Sequence, residues 1–85
     1  MNNANDVYKF VDQLKLACQK AGETKLFEQL DNALRLGSSG LEILGAIRGV
    51  LLKNHALIQE LLDSTNRAQV DQVIAFVDKA YGRAH

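Results

Sequence analysis

Residues 39–54 read Ser-Gly-Leu-Glu-Ile-Leu-Gly-Ala-Ile-Arg-Gly-Val-Leu-Leu-Lys-Asn, and they are the most apolar part of the chain. Ser39 and Glu42 have the spacing of a capping box. In that motif each of the two side chains satisfies a backbone N–H that the first turn of a helix leaves without a partner. The sequence therefore predicts a helix that begins close to Gly40.

This central helix, predicted over about 40–53, has a wide apolar face. At about 100° per residue, one broad face carries Ile43, Leu44, Ile47, Val50 and Leu51. The opposite side carries Glu42, Ala46 and Lys53. Because so wide a face has to be covered from several directions, we expect the other helices to pack around this one.

Two glycines lie one turn apart on a flank of the central helix. Gly45 and Gly49 each cost about 1 kcal/mol of helix propensity relative to alanine, so we expect another helix to cross closely there. The same spacing occurs at contacts between transmembrane helices. However, Arg48 interrupts the apolar run and Lys53 ends it, well short of the roughly 20 residues that cross a bilayer. The sequence therefore predicts a buried core helix and no membrane span.

Two further helices are predicted before the central one. Apolar residues at three- and four-residue spacing predict the first over 7–21, capped by Asn5 or Asp6 and stopped by Gly22. The second is predicted to be capped by Thr24 and ended by Gly37. The inward residues of the two helices are expected to be Val7, Phe10, Val11, Leu14, Ala17, Cys18, Ala21, Leu26, Phe27, Leu30, Ala33 and Leu34.

The chain after Lys53 is compatible with two predictions. A helix that continued to about Leu62 would extend the apolar face but would bring Asn54 into its middle, and a buried asparagine without partners costs roughly 1–3 kcal/mol. We therefore expect a kink or a short break at Asn54 and His55, with the continuous helix as the alternative.

The final helix is predicted from about residue 67 to 81, with Thr65 or Asn66 as its cap. Its inner side is expected to carry Val70, Val73, Ile74, Val77, Ala80 and Tyr81. Asp71 and Asp78, which are seven residues apart, are expected to share the solvated outer side.

Length and composition indicate one domain over 1–85, with frayed ends at 1–5 and 82–85. The chain has no proline and 47 % hydrophobic residues, which favours helices joined by short turns. The fold class is therefore all-α, a small bundle of four to five helices. A chain of this size buries only roughly 60–65 % of its unfolded surface, so we expect the apolar surplus to be covered in a homodimer.

Charge and cysteine content restrict the setting of the protein. Ten basic and ten acidic residues cancel, and they are spread evenly along the chain. A near-neutral chain lacks the electrostatic footprint of a nucleic-acid binder, so nucleic acid is not expected as a partner. The single cysteine, Cys18, is expected to be buried as a small hydrophobic residue. The polar N-terminus lacks the features of a secretory signal, and we expect the protein in the cytoplasm.

Two groups of residues are candidate contact sites. Arg48, His55 and Gln59 align on one semi-polar stripe, where the planar guanidinium suits an anion or a partner carboxylate. Leu16, Leu36 and Phe76 lie outside the inward stripes and are candidates for self-association. No cysteine, histidine or carboxylate spacing indicates a metal site, a cofactor or a catalytic group.

The sequence therefore favours a non-enzymatic regulatory or protein–protein interaction protein whose partner is a second copy or another protein. One alternative is a DNA-associated regulator or antitoxin-like partner that gains a basic surface only as an oligomer. Another is a helical module that binds a small molecule or an acyl chain.

Overall fold

The computed structural model describes residues 1–36 and 39–82. These residues form five helices and no strand, which confirms the all-α prediction. The helices are α1 (Ala4–Ala21), α2 (Thr24–Arg35), α3 (Gly40–Lys53), α4 (His55–Leu61) and α5 (Ser64–Ala80).

Helix α1 has a defined cap at each end. The side chain of Asn3 accepts a hydrogen bond of 3.1 Å from the backbone N–H of Asp6, so the predicted caps Asn5 and Asp6 are wrong. Asn3 can do this because its own backbone is extended while the next residue is already helical. Gly22 ends α1 as predicted, with φ of 73° in the left-handed region that favours glycine.

Helix α2 begins without a side-chain cap. Its N-cap residue is Glu23 and Thr24 is already helical, so the prediction that Thr24 caps the helix is wrong. The turn from α1 is tight, because the backbone N–H of Glu23 bonds the carbonyl of Cys18 at 2.9 Å and brings the chain directly into the next helix. Helix α2 ends at Arg35, and the predicted stop at Gly37 lies outside the described residues.

Helix α3 has the predicted bounds. The hydroxyl of Ser39 accepts a hydrogen bond of 3.2 Å from the backbone N–H of Glu42, as the capping box indicated. The predicted break follows at Asn54, and the alternative of a continuous helix is wrong. The side-chain nitrogen Nδ2 of Asn54 donates to Oε1 of Gln29 at 2.8 Å and to the carbonyl of Val50 at 2.9 Å. The break therefore gives a partly buried asparagine the partners it needs.

Helix α5 begins earlier than predicted. Asp63 is its N-cap, and Oδ1 of Asp63 accepts a hydrogen bond of 2.8 Å from the backbone N–H of Asn66. The predicted caps Thr65 and Asn66 are therefore wrong, since both lie inside the helix. A carboxylate at this position also interacts favourably with the positive end of the helix dipole.

The core is built from one face of each helix. Its buried members are Val7, Phe10, Val11, Leu14, Cys18, Leu26, Leu30, Ala33, Leu44, Ile47, Leu51, Ile58, Leu62, Val70, Val73 and Val77. Most predicted inward residues are among them or pack against them. Ala21, Ala80 and Tyr81 are exposed instead, and each stands at the end of its helix.

Two predictions about the outer side of α3 need correction. Ala46, expected opposite the apolar face, is half-buried and packs against the core. The close approach expected at both glycines occurs only at Gly45, where a Cβ would lie 3.2 Å from Cζ of Tyr81. Around Gly49 no described atom outside the adjoining turns of α3 itself lies within 4 Å of such a Cβ.

A membrane span was not expected, and none of the helices in 1–36 and 39–82 is long and apolar enough to cross a bilayer.

Candidate interaction surface

Arg48, the first residue of the predicted semi-polar stripe, pairs with α5. Its Nε lies 2.7 Å from Oδ1 of Asp78, and the two side chains are 27 % and 14 % exposed. The N–H direction does not meet hydrogen-bond geometry, but opposite charges at this distance in a partly enclosed site make an ion pair. Asp78 therefore faces α3, and the prediction that it shares the solvated side of Asp71 is wrong.

His55 and Gln59 lie together on the exposed side of α4. The two Nε2 atoms are 3.5 Å apart, and the backbone carbonyl of Gln59 accepts a hydrogen bond of 2.7 Å from Nε of Arg67. Their described contacts are thus with each other and with α5, whereas Arg48 is engaged by Asp78. A role for Arg48, His55 and Gln59 in anion or partner contact stays a prediction.

Four leucines are exposed although the core is closed beneath them. Leu16 is 57 %, Leu36 65 %, Leu41 48 % and Leu52 45 % exposed. The exposure of Leu16 and Leu36 agrees with their positions outside the inward stripes. Phe76 is half-buried and packs against the core. Self-association through Leu16, Leu36 or Phe76 stays a prediction.

Leu41 and Leu52 were missed because they belong to the most apolar stretch of the chain. Within such a stretch, overall hydrophobicity hides which leucines face outward. Their spacing was the available signal, because eleven residues at about 100° per residue return to within about 20° of the same direction. Both therefore lie on one side of α3, away from Leu44, Ile47 and Leu51.

An open groove runs between α2 and α3, with a volume of about 380 Å³. Small side chains, those of Ala33 and Ala46, and the bare backbone of Gly49 line it together with the larger Leu36 and Val50. Gln29, Asn32 and Lys53 complete its lining, so among the described residues the only charged group that lines it is a cation. An apolar floor with polar edges is the usual composition of a surface that receives a helix.

One face of α3 borders this groove and is mostly exposed. We call Glu42, Ala46, Gly49 and Lys53 the outer stripe; their spacings of four, three and four residues bring them to one side of the helix. Glu42, Gly49 and Lys53 are exposed and Ala46 is half-buried. The outer stripe thus has a carboxylate at one end, an ammonium group at the other and small residues between them.

The polar contacts of α1 and α2 are structural. Nζ of Lys15 donates to Oδ1 of Asp31 at 3.0 Å and lies 5.1 Å from the ring centre of Phe27. The hydrogen bond from Lys15 lowers the pKa of the Asp31 carboxyl. Cys18 is buried as predicted, and burial raises the pKa of its thiol. Within the described parts of the chain, no group of three or more histidine, cysteine or carboxylate residues is placed to hold a metal ion.

No protein-family model matches the chain, and no curated protein or solved structure matches it either.

Proposed function

We propose that this chain is a non-enzymatic helical interaction protein that associates with itself through the exposed side of α2 and α3. The proposal rests on one observation. Leu36, which follows α2, lines a groove with an apolar floor, and it is exposed together with Leu41 and Leu52 on α3. The single cysteine, buried as a thiol, is consistent with the reducing cytoplasm that we propose as its setting.

The energetic reason is the unused burial of these leucines. Covering a leucine side chain completely is worth about 1.5–3 kcal/mol, so three exposed ones leave several kcal/mol of favourable burial available to a partner. Leucines scattered singly on a surface need no explanation. Leu36 differs from that case, because it lines the groove together with Ala46 and Gly49. Leu52 follows Gly49 by three residues, so it lies next to that end of the groove on the surface of α3.

Leu16 does not belong to this surface. Its neighbours at three and four residues along α1 are all exposed and polar, namely Asp12, Gln13, Gln19 and Lys20. We therefore do not include Leu16 or the half-buried Phe76 in the proposed interface, although the sequence suggested both.

The groove is better suited to a helix than to an acyl chain. It is open to solvent along its length and has a polar edge formed by Gln29, Asn32 and Lys53. Sites for small apolar ligands instead enclose most of the surface of the ligand. A nucleic-acid partner would gain little here, because the ten basic and ten acidic residues cancel.

The test is the molar mass of the purified chain by light scattering over a concentration series at near-physiological salt. We expect the wild-type chain to rise from one to two chains per particle. The double variant Leu36→Glu with Leu52→Glu should stay at one chain, since each copy would carry two carboxylates into the interface. Far-ultraviolet circular dichroism should show unchanged helix content, because both leucines lie outside the core.

Leu16→Glu is the matched control, since it places the same charge on a similarly exposed leucine outside the groove. We expect this variant to associate like the wild type. A wild-type chain that remains a monomer at every concentration, or a double variant that associates as well as wild type, contradicts the proposal.

A further inference from the structure

We infer that two copies of this chain pair through the outer stripe of α3, with the two α3 helices antiparallel about a two-fold axis between Ala46 and Gly49. This inference rests on the proposed self-association and specifies which residues meet. Its occupant is a second copy of the chain, because the outer stripe is complementary to itself.

The charges on the outer stripe set the direction of pairing. Along α3 the order is Glu42, Ala46, Gly49 and Lys53. In an antiparallel pair the order is reversed, so Glu42 meets Lys53 of the partner subunit, and the two-fold axis repeats this contact at the other end. A parallel pair in register would instead bring the two Glu42 carboxylates together and the two Lys53 ammonium groups together. Like charges at an interface are strongly disfavoured, so only the antiparallel pair is complementary.

The small residues in the middle of the outer stripe set the distance of approach. In the antiparallel pair Ala46 lies opposite Gly49 of the partner subunit, and the two-fold axis again repeats the contact. Side chains of this size let helix backbones approach closely, and there is open space around the position of a Cβ on Gly49. The helix-propensity cost of Gly49, for which the isolated chain shows no contact in return, then has a structural reason.

The core side of α3 and part of one flank are already occupied. Leu44, Ile47 and Leu51 face the core. The flank at Gly45 is covered by Tyr81, whose hydroxyl donates to the carbonyl of Leu41. The outer stripe and the adjoining groove carry no such contact and are therefore a face that a second α3 can reach.

The contact is short, which predicts its strength. From Glu42 to Lys53 is eleven residues, or about 16 Å at a rise of about 1.5 Å per residue. Even with Leu36 and Leu52 added at its edges, an interface of this length lies at the small end of specific interfaces. We therefore expect a dimer that dissociates on dilution, and whose dissociation constant rises with salt because its end contacts are ionic.

Charge reversal tests the pairing. Glu42→Lys and Lys53→Glu should each raise the dissociation constant about tenfold or more, because each creates two like-charge contacts per dimer. The combined variant exchanges the two charges and restores opposite pairs at both ends, so its dissociation constant should return close to that of the wild type. Lys25→Glu is the matched control, because Lys25 is also an exposed lysine but lies at the start of α2, and its reversal should change nothing.

Both reversals oppose the dipole of α3, so a variant of unchanged charge is needed as well. Gly49→Leu adds a bulky side chain where the folded chain has open space, so it should fold and yet block the close approach of two helices. We expect it to remain a monomer at concentrations at which the wild type is a dimer.

The outcomes separate this inference from the proposal on which it rests. If the wild type is always a monomer, self-association itself is wrong. If the wild type forms a dimer but Gly49→Leu and both single reversals associate equally well, the chain associates through another surface and the pairing through α3 is wrong. If the single reversals weaken the dimer and the combined variant does not recover, the antiparallel register is wrong.

Discussion

Gly45 and Gly49 lie one turn apart on the same helix, yet their surroundings are opposite. At Gly45 the ring of Tyr81 lies so close that a Cβ would be 3.2 Å from its Cζ atom. At Gly49 no described atom outside the adjoining turns of α3 itself lies within 4 Å of the same position. Gly45 therefore makes room for the ring of Tyr81 from the same chain, whereas the surface of α3 at Gly49 is open. The two-glycine spacing alone does not distinguish these uses.

The difference extends along both flanks of α3. On the flank that faces α5, the Arg48–Asp78 ion pair and the hydrogen bond from Tyr81 to Leu41 hold the two helices together. On the outer stripe, Glu42 and Lys53 are exposed beside a groove. Substitutions on the first flank should therefore affect folding, whereas substitutions on the second should affect association.

The largest contrast is expected between two adjacent leucines. Leu51 is fully buried and Leu52 is 45 % exposed. Leu51→Ala should lower the free energy of unfolding by about 2–5 kcal/mol, because it opens a cavity in the core. Leu52→Ala should change it by less than about 0.5 kcal/mol. Urea unfolding of both variants, at a concentration where the chain is monomeric, measures the difference; equal losses would mean that the inward and outward sides of α3 are assigned incorrectly.

A smaller contrast is expected between two aspartates of α5. Asp78→Asn should cost about 1–2 kcal/mol of unfolding free energy, since it leaves the partly enclosed Arg48 without its counter-charge. Asp71→Asn, at an exposed position seven residues earlier, should stay within about 0.5 kcal/mol of the wild type. Denaturant unfolding of both variants measures the two losses of unfolding free energy. Equal losses would contradict a structural role for the ion pair.

These two aspartates also show what periodicity can and cannot predict. Residues seven apart lie on nearly the same side of a helix, so the sequence assigned Asp71 and Asp78 one environment. Only Asp78 meets Arg48, and that contact depends on how α3 packs against α5. Such a contact between distant parts of the chain leaves no local pattern.

Local signals predicted a helix boundary correctly where few neighbouring residues could have taken the same role. Ser39 and Glu42 predicted the start of α3, and the cost of burying Asn54 predicted the break after it. The caps of α1 and α5 were wrong because several residues capable of capping follow one another there. Asn3 and Asp63 were selected by the point at which the chain turns into each helix, and tertiary packing determines that point.

The smallest contrast is expected between the glycines themselves. Gly49→Ala should raise the free energy of unfolding of the monomer by about 0.5–1 kcal/mol, because alanine favours helix and meets open space. Gly45→Ala should lack this gain, because Tyr81 has to move and gives up its bond to Leu41. In a Tyr81→Ala background the same change at Gly45 should recover the gain, a coupling that a double-mutant cycle measures. Equal gains at both glycines in the wild-type background would show that Tyr81 does not restrict Gly45.

The decisive measurement is the molar mass of the wild type and of Gly49→Leu, followed side by side by light scattering as both are diluted at near-physiological salt. We predict two chains per particle for the wild type at high concentration, falling to one on dilution, and one chain for Gly49→Leu throughout. The same mass for both proteins at every concentration would contradict the assignment of the outer stripe as the surface through which this chain associates.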